Sequence, residues 1–158
     1  MKNKNSGTGN FPFAIISIIM FAMLCFCSIK TNAQQPYNVV GNATGAQVIP
    51  AVTTSGSGSI TGTYNSSTRE LNYTTAWNNL TGAPKTAGFY IGAAGLNGKI
   101  LGEPWALGTN NKASGNITSK ITITKEQEKD LLAGNWYYSF GTDLNPNGEI
   151  RGQLQVIQ

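Results

Sequence analysis

The chain has 158 residues, with 11 basic and 7 acidic side chains and no histidine. Because histidine is absent, the Ser-His-Asp and Cys-His catalytic arrangements are excluded, as is the commonest ligand of zinc and copper. The formal net charge of +4 would suit an anionic partner such as nucleic acid only if it persisted in the mature protein.

The first 33 residues have the pattern of a signal peptide. Lys2 and Lys4 give a positive start, residues 11–29 form an apolar run, and Ala33 is a small residue at the expected cleavage site. Cleavage predicts a secreted or periplasmic protein with no membrane attachment. An uncleaved anchor is the alternative, since about 18 apolar residues nearly span a bilayer.

Cleavage changes what the mature chain can do. It removes both cysteines, Cys25 and Cys27, so no disulfide or thiol chemistry is expected. It also removes Lys2, Lys4 and Lys30, which leaves 8 basic residues against 7 acidic ones. We therefore expect no nucleic-acid partner. An exported domain without disulfides favours a bacterial origin.

The mature chain is predicted to be one all-β domain over residues 45–158, preceded by an N-terminal arm or edge strand at residues 34–44. Short β-branched and aromatic runs alternate with Gly-, Asn- and Ser-rich turns. About seven to eight strands in a Greek-key-like, antiparallel two-sheet sandwich are expected. The runs that carry this prediction are residues 59–64, 71–77, 87–92, 99–101, 117–123, 135–140 and 149–156.

One short helix interrupts the strands. Thr124 is followed three positions later by Gln127, which is the spacing of a capping box. Gly134 is placed to end the helix. The pattern predicts two to three helical turns.

The most regular segment is residues 148–154, which follows a turn predicted at residues 145–148. Alternation directs Ile150, Gly152 and Leu154 to the core. The other face carries Glu149, Arg151 and Gln153, which we call the polar row. We expect Glu149 and Arg151 to pair, so that the polar row is structural and Arg151→Ala lowers stability.

Carboxylates are the remaining candidates for catalysis. A glycosidase-like hydrolase would need two partly buried carboxylates, for example among Glu103, Asp143 and Glu149, about 5–9 Å apart in one cleft. The ordinary interpretation is that Asp143 caps a turn. The oxygen atoms of residues 143–147 also suit a weak calcium site, although we predict no bound metal and no cofactor.

The aromatic residues divide into two sets. Trp77, Trp136 and Phe140 follow the alternation of their strands, and so does Tyr138, so these four are assigned to the core. Trp105 and Tyr137 are out of phase or in a loop, and are the candidate ligand-contact aromatics. Exposure of either in a shallow groove would favour carbohydrate binding.

Three blocks of the chain resemble the chordin-type (CHRD) domain family, a β-rich secreted module. They are residues 45–58, residues 86–98, and residues 134–154, and the last matches most closely. The resemblance implies an extracellular interaction role. Histidines usual in the family are replaced here by Phe89, Ile91 and Gly141, so a metal or proton-linked site at those positions is not expected.

These observations together predict an exported, non-enzymatic β-sandwich with a binding or structural role. Its partner would be a protein or glycan of the cell envelope or medium. A carbohydrate-binding module is the first alternative, and a carboxylate-dependent hydrolase is the second.

Overall fold

A computed structural model describes residues 35–158, and in that part of the chain it shows nine strands and one α-helix. The predicted leader, with both cysteines, lies outside the described residues. Within residues 35–158, no helix is long and apolar enough to cross a membrane. The elements are β1 (Tyr37–Thr44), β2 (Ser57–Asn65), β3 (Glu70–Asn78), β4 (Thr86–Ile91), β5 (Lys99–Ile100), β6 (Gly115–Thr122), α1 (Lys125–Leu132), β7 (Trp136–Gly141), β8 (Ile150–Gln153) and β9 (Gln155–Ile157).

The strands form one antiparallel sheet in the order β5-β4-β7-β8-β1-β2-β3-β6, with β9 also paired to β1. The predicted all-β antiparallel class is confirmed. The two layers, however, belong to a single sheet that curls on itself. The ring of Trp77 in β3 lies 4.9 Å from Phe140 in β7, and that of Tyr73 in β3 lies 4.9 Å from Phe89 in β4. Strands distant in the sheet order therefore face each other across the core.

The predicted hairpin is confirmed as β2 and β3, in which Tyr64 pairs with Leu71. Its turn forms because the Asn65 side-chain oxygen accepts hydrogen bonds from the backbone N–H groups of Ser67, at 2.9 Å, and Thr68, at 3.2 Å. This local bonding suits asparagine in turns.

Helix α1 begins and ends where the sequence predicts. The N–H of Gln127 donates to the Thr124 hydroxyl at 3.2 Å, and the N–H of Thr124 donates to the Gln127 side chain at 2.8 Å. Gly134 follows the helix with φ at +73°, a conformation that glycine adopts without strain. Leu131 anchors the helix in the core.

The prediction of an arm or edge strand at residues 34–44 is wrong. Residues 37–44 form β1, which pairs along its whole length with β2 and, on its other side, with β8 and β9. Val39 and Ala43 are buried. The alternating pattern of this segment is short, and its strand partners on one side come from the far end of the chain. Its central position in the sheet is therefore not evident from the local sequence.

The last two strands connect the two halves of the sheet. β8 pairs mainly with β7, and β9 pairs with β1. Two glycines allow the close approach at this crossing. A Cβ on Gly152 would lie 2.5 Å from the Tyr138 ring, and a Cβ on Gly41 would lie 2.8 Å from the Gln153 carbonyl oxygen. Any larger residue would push the strands apart.

Candidate functional site

The turn at residues 145–148 forms as predicted and sets the register of the polar row. The N–H of Gly148 donates to the Asn145 carbonyl at 3.0 Å, and Gly148 has φ at +131°. The next N–H, of Glu149, donates to the Phe140 carbonyl at 2.7 Å. Arg151 then lies opposite Ser139 of β7.

Glu149 is completely buried, and threonines hold its carboxylate. The hydroxyls of Thr54, at 2.6 Å, Thr81, at 2.5 Å, and Thr142, at 2.7 Å, all donate to it. The backbone N–H of Thr81 donates at 2.9 Å and 3.1 Å to the two carboxylate oxygens. Both oxygens are therefore occupied, and one side chain ties three separate segments together.

The pKa of Glu149 is set by two opposing effects. Burial disfavours the charged form, but the hydrogen bonds from Thr54, Thr81 and Thr142 favour it and together lower the pKa below its ordinary value. The carboxylate is thus ionised at neutral pH inside the protein, without a cationic partner.

Arg151 is 3% exposed. Its guanidinium lies over the Tyr137 ring, 3.7 Å from the ring centroid. Nη2 donates to the Ala93 carbonyl and to the Gln153 side-chain oxygen, both at 3.1 Å. Nη1 is buried and has no hydrogen-bond partner among residues 35–158. Burial lowers the pKa of Arg151 from its ordinary value.

Gln153 connects the polar row to its surroundings. Its side-chain nitrogen donates to the carbonyls of Gly92, at 3.0 Å, and Gly134, at 2.7 Å. Its backbone N–H donates to the side-chain oxygen of Gln47 at 3.2 Å. The two hydrogen bonds of the side-chain nitrogen thus orient the amide of Gln153 so that its oxygen faces Arg151.

The predicted pairing of Glu149 with Arg151 is wrong. In the described part of the chain the ion pairs are Lys85–Asp143, at 3.4 Å, and Lys120–Glu70, at 3.0 Å. Neutral donors from Thr54 and Thr81 satisfy Glu149 instead. Those residues are 95 and 68 positions away, so alternation within one strand could not reveal them.

Arg151 also lines a pocket of about 250 Å³. A second pocket, of about 230 Å³ and mainly apolar, lies beside it, because both include Ile49. Leu144 lines the second pocket and is 75% exposed. We call three segments that line or adjoin these pockets, residues 46–50, 94–97 and 144–147, the loop end. The Asn97 side chain joins two of the segments by donating to the Ile49 carbonyl at 2.9 Å.

The two candidate ligand-contact aromatics have different surroundings. Tyr137 is only 5% exposed, between Arg151 and the ring of Tyr90. Tyr137 therefore does not meet the exposure that the carbohydrate-binding alternative requires. Trp105 is half-buried and lines a groove of about 350 Å³. Its ring packs against four core rings, those of Tyr73, Phe89, Tyr138 and Phe140, which leaves little free surface for stacking on a sugar.

The candidate carboxylates do not form a facing pair of partly buried groups. Glu103 and Asp143 are exposed, whereas Glu149 is buried and fully hydrogen-bonded. Among residues 35–158 no group of three or more His, Cys, Asp or Glu side chains could hold a metal ion. The absence of bound metal remains a prediction.

The three positions at which the resemblance implies histidine in other members are occupied as follows. Phe89 is in the core, in contact with the rings of Tyr73 and Trp136, and Ile91 pairs with Trp136. A Cβ on Gly141 would lie 2.4 Å from the Thr86 hydroxyl. The space at these positions is filled by apolar side chains, by backbone and, at Gly141, by the Thr86 hydroxyl.

Sequence reasoning missed four polar residues around the polar row. Thr54, Thr81 and Thr142 bind Glu149, and Gln47 contacts Gln153. Nothing distinguishes these threonines within a chain rich in threonine. The only signal was Glu149 itself, a carboxylate that directly precedes Ile150 in a strand predicted to close the core.

Comparison with known proteins gives one match. A family model described as the CHRD domain matches residues 40–154. No curated protein and no solved structure matches the chain.

Proposed function

We propose that this chain, which belongs to the CHRD domain family, is a non-enzymatic module that binds another molecule outside the cytoplasm. The family model covers most of the β-domain, and a small β-domain of non-enzymatic type is what it suggests. The signal-peptide pattern of residues 1–33 supports export.

One observation carries the non-enzymatic part of this proposal. Glu149 is the most deeply buried carboxylate among the described residues, and donors of the protein itself occupy both its oxygens. A general acid or base must reach a substrate atom within hydrogen-bond distance. Glu149 has no such access and instead holds three segments together.

The surface best suited to a partner is the loop end. Leu144 is exposed in a tight turn, next to Pro146 and to the Ile49 and Pro50 segment. Exposed apolar side chains beside preformed pockets are typical of interaction sites. Glu149 holds Thr54 and Thr142, which lie close in sequence to two segments of the loop end. Such anchoring supports a surface that binds with a small ordering cost.

A binding experiment with matched leucine variants tests this proposal. Wild type, Leu144→Asp and Leu132→Asp are immobilised and exposed to the envelope fraction and the medium of the producing cells. Retained proteins and glycans are then quantified. We expect wild type and Leu132→Asp, whose leucine lies on α1, to retain the same components. Leu144→Asp should retain about tenfold less, as for loss of an interface anchor.

Two results would contradict the proposal. Equal retention by Leu144→Asp and wild type would show that the loop end is not the binding surface. Hydrolysis of chromogenic glycosides by wild type, abolished in Glu149→Gln with its fold intact, would establish an enzyme instead.

A further inference from the structure

Arg151 carries a buried charge that the rest of the described chain does not neutralise. Its side chain is 3% exposed, and neither ion pair among residues 35–158 includes it. Glu149, two residues away, is held by threonines. A buried cation without a counter-ion is unfavourable, and a protein normally pairs it.

Hydrogen bonding leaves part of the guanidinium free. Nη2 donates to the carbonyl of Ala93 and to Gln153, whereas Nη1 donates to nothing. The Tyr137 ring covers one face of the group at 3.7 Å, which fixes the plane of the fork. Arg151 is thus oriented, with an unused donor, before any ligand arrives.

The pocket beside Arg151 combines this charge with neutral polar groups and apolar walls. Its volume is about 250 Å³. Gln47 uses one amide N–H on the carbonyl of Asn42 and carries a second N–H. The other lining residues are Ala46, Ile49, Ala94, Gly95 and Gln153.

This lining selects a particular class of ligand. Nη1 can donate a charge-assisted hydrogen bond to a carboxylate oxygen, which is stronger than a bond between two neutral groups. One cation balances one negative charge, whereas a phosphate group would call for further cations. The alanine and isoleucine side chains suit a short apolar body next to the charged group.

We propose that the Arg151 pocket binds a carboxylate that carries a short apolar group. This inference rests on the proposed function, because the pocket is part of the loop end. The carboxylate could belong to a free monocarboxylic acid or to the C-terminus of a polypeptide, and both present the same chemistry to Arg151.

Calorimetric titration and thermal unfolding of the purified protein test the ligand class. Sodium propionate should bind and raise the unfolding temperature in proportion to the logarithm of its concentration. Propionamide, which has the same shape without the charge, should do neither. Sodium chloride at equal ionic strength is the control for salt. Equal stabilisation by sulfate would overturn the assignment to a carboxylate.

A peptide pair distinguishes the two sources. Acetyl-Gly-Ala with a free C-terminus should bind more tightly than propionate if polypeptide ends are the natural ligand, and its C-terminal amide should not bind. Weaker binding of the free-acid peptide than of propionate would assign the pocket to small acids. Failure of both carboxylates would overturn the inference.

A matched pair of variants avoids dependence on Arg151 substitutions that disturb folding. Ala94→Glu places a carboxylate at the pocket, and Ala94→Gln places a neutral group of the same shape there. Ala94→Glu should unfold at a higher temperature than Ala94→Gln and should no longer bind propionate. Equal unfolding temperatures of the two variants would contradict an uncompensated charge at Arg151.

The two proposals can fail separately. Absence of propionate binding, together with retention of partners that depends on Leu144, would overturn the carboxylate inference alone. Propionate binding by a protein that retains no partner through Leu144 would overturn the proposed function alone.

Discussion

Glu149 and Arg151 are two residues apart and are almost equally buried, yet their charges are stabilised to different extents. Three threonine hydroxyls and one backbone N–H stabilise the carboxylate. The guanidinium packs on the Tyr137 ring and donates two hydrogen bonds from Nη2, but its Nη1 has no acceptor among the described residues. Burial of a charge therefore indicates a structural role only where its hydrogen bonding is complete. Where it is incomplete, as at Arg151, we propose that a ligand completes it.

The largest effect is expected from Glu149→Ala. The variant leaves the buried Thr142 hydroxyl and the Thr81 donors without their acceptor, which should lower the free energy of unfolding by about 3 kcal/mol. Urea unfolding followed by tryptophan fluorescence measures this. Glu103→Ala, at an exposed glutamate, is the control and should change stability by less than about 0.5 kcal/mol. An equally small loss of stability for Glu149→Ala would show that the hydrogen bonds of its carboxylate do not stabilise the fold.

A smaller loss is expected from Arg151→Ala, about 2 kcal/mol, because packing on Tyr137 and the two hydrogen bonds are lost. Arg151→Met keeps an apolar stem of similar length and removes the uncompensated charge. Its cost should be about 1 kcal/mol or less, since replacing a buried charge by an apolar side chain is often neutral. Chemical denaturation of both variants makes the comparison. If Arg151→Met were as destabilising as Glu149→Ala, the guanidinium charge would have to be compensated within the fold.

A further effect is a dependence of stability on pH. Since the folded pKa of Glu149 is lowered, its contribution is fully present above the unfolded value of about 4.3 and is lost as the pH falls through the folded pKa. Wild type should exceed Glu149→Gln by about 1–2 kcal/mol at neutral pH, and the difference should shrink below about pH 4. Unfolding curves from pH 3 to 7 measure it. A difference that stays constant over this range would mean that ionisation of Glu149 is not linked to folding.

Local sequence predicted the parts of the fold that depend on neighbouring residues. The capping box of Thr124 and Gln127, the turn at Asn65 and the turn before Glu149 all involve groups a few positions apart. Such contacts leave a pattern because each residue type is favoured by the conformation of its own segment.

Long-range contacts were not predictable in the same way. Residues 37–44 form a central strand because they pair with both residues 57–65 and the last strands of the domain. Glu149 accepts a hydrogen bond from Thr54, 95 positions away, and not from its near neighbour Arg151. One threonine among many gives no sign of such a partnership, so the polar row was found from the sequence while the pairing within it was not.

The pairing of β1 with β9 has a consequence for how this domain can be used in larger proteins. Asn38 lies opposite Ile157, so the chain enters and leaves the fold on adjacent strands, about 5 Å apart. A domain with neighbouring ends can be inserted into a loop of another protein, or repeated in series, without separating the flanking segments. The paired ends of this fold therefore suit short connections to a flanking chain.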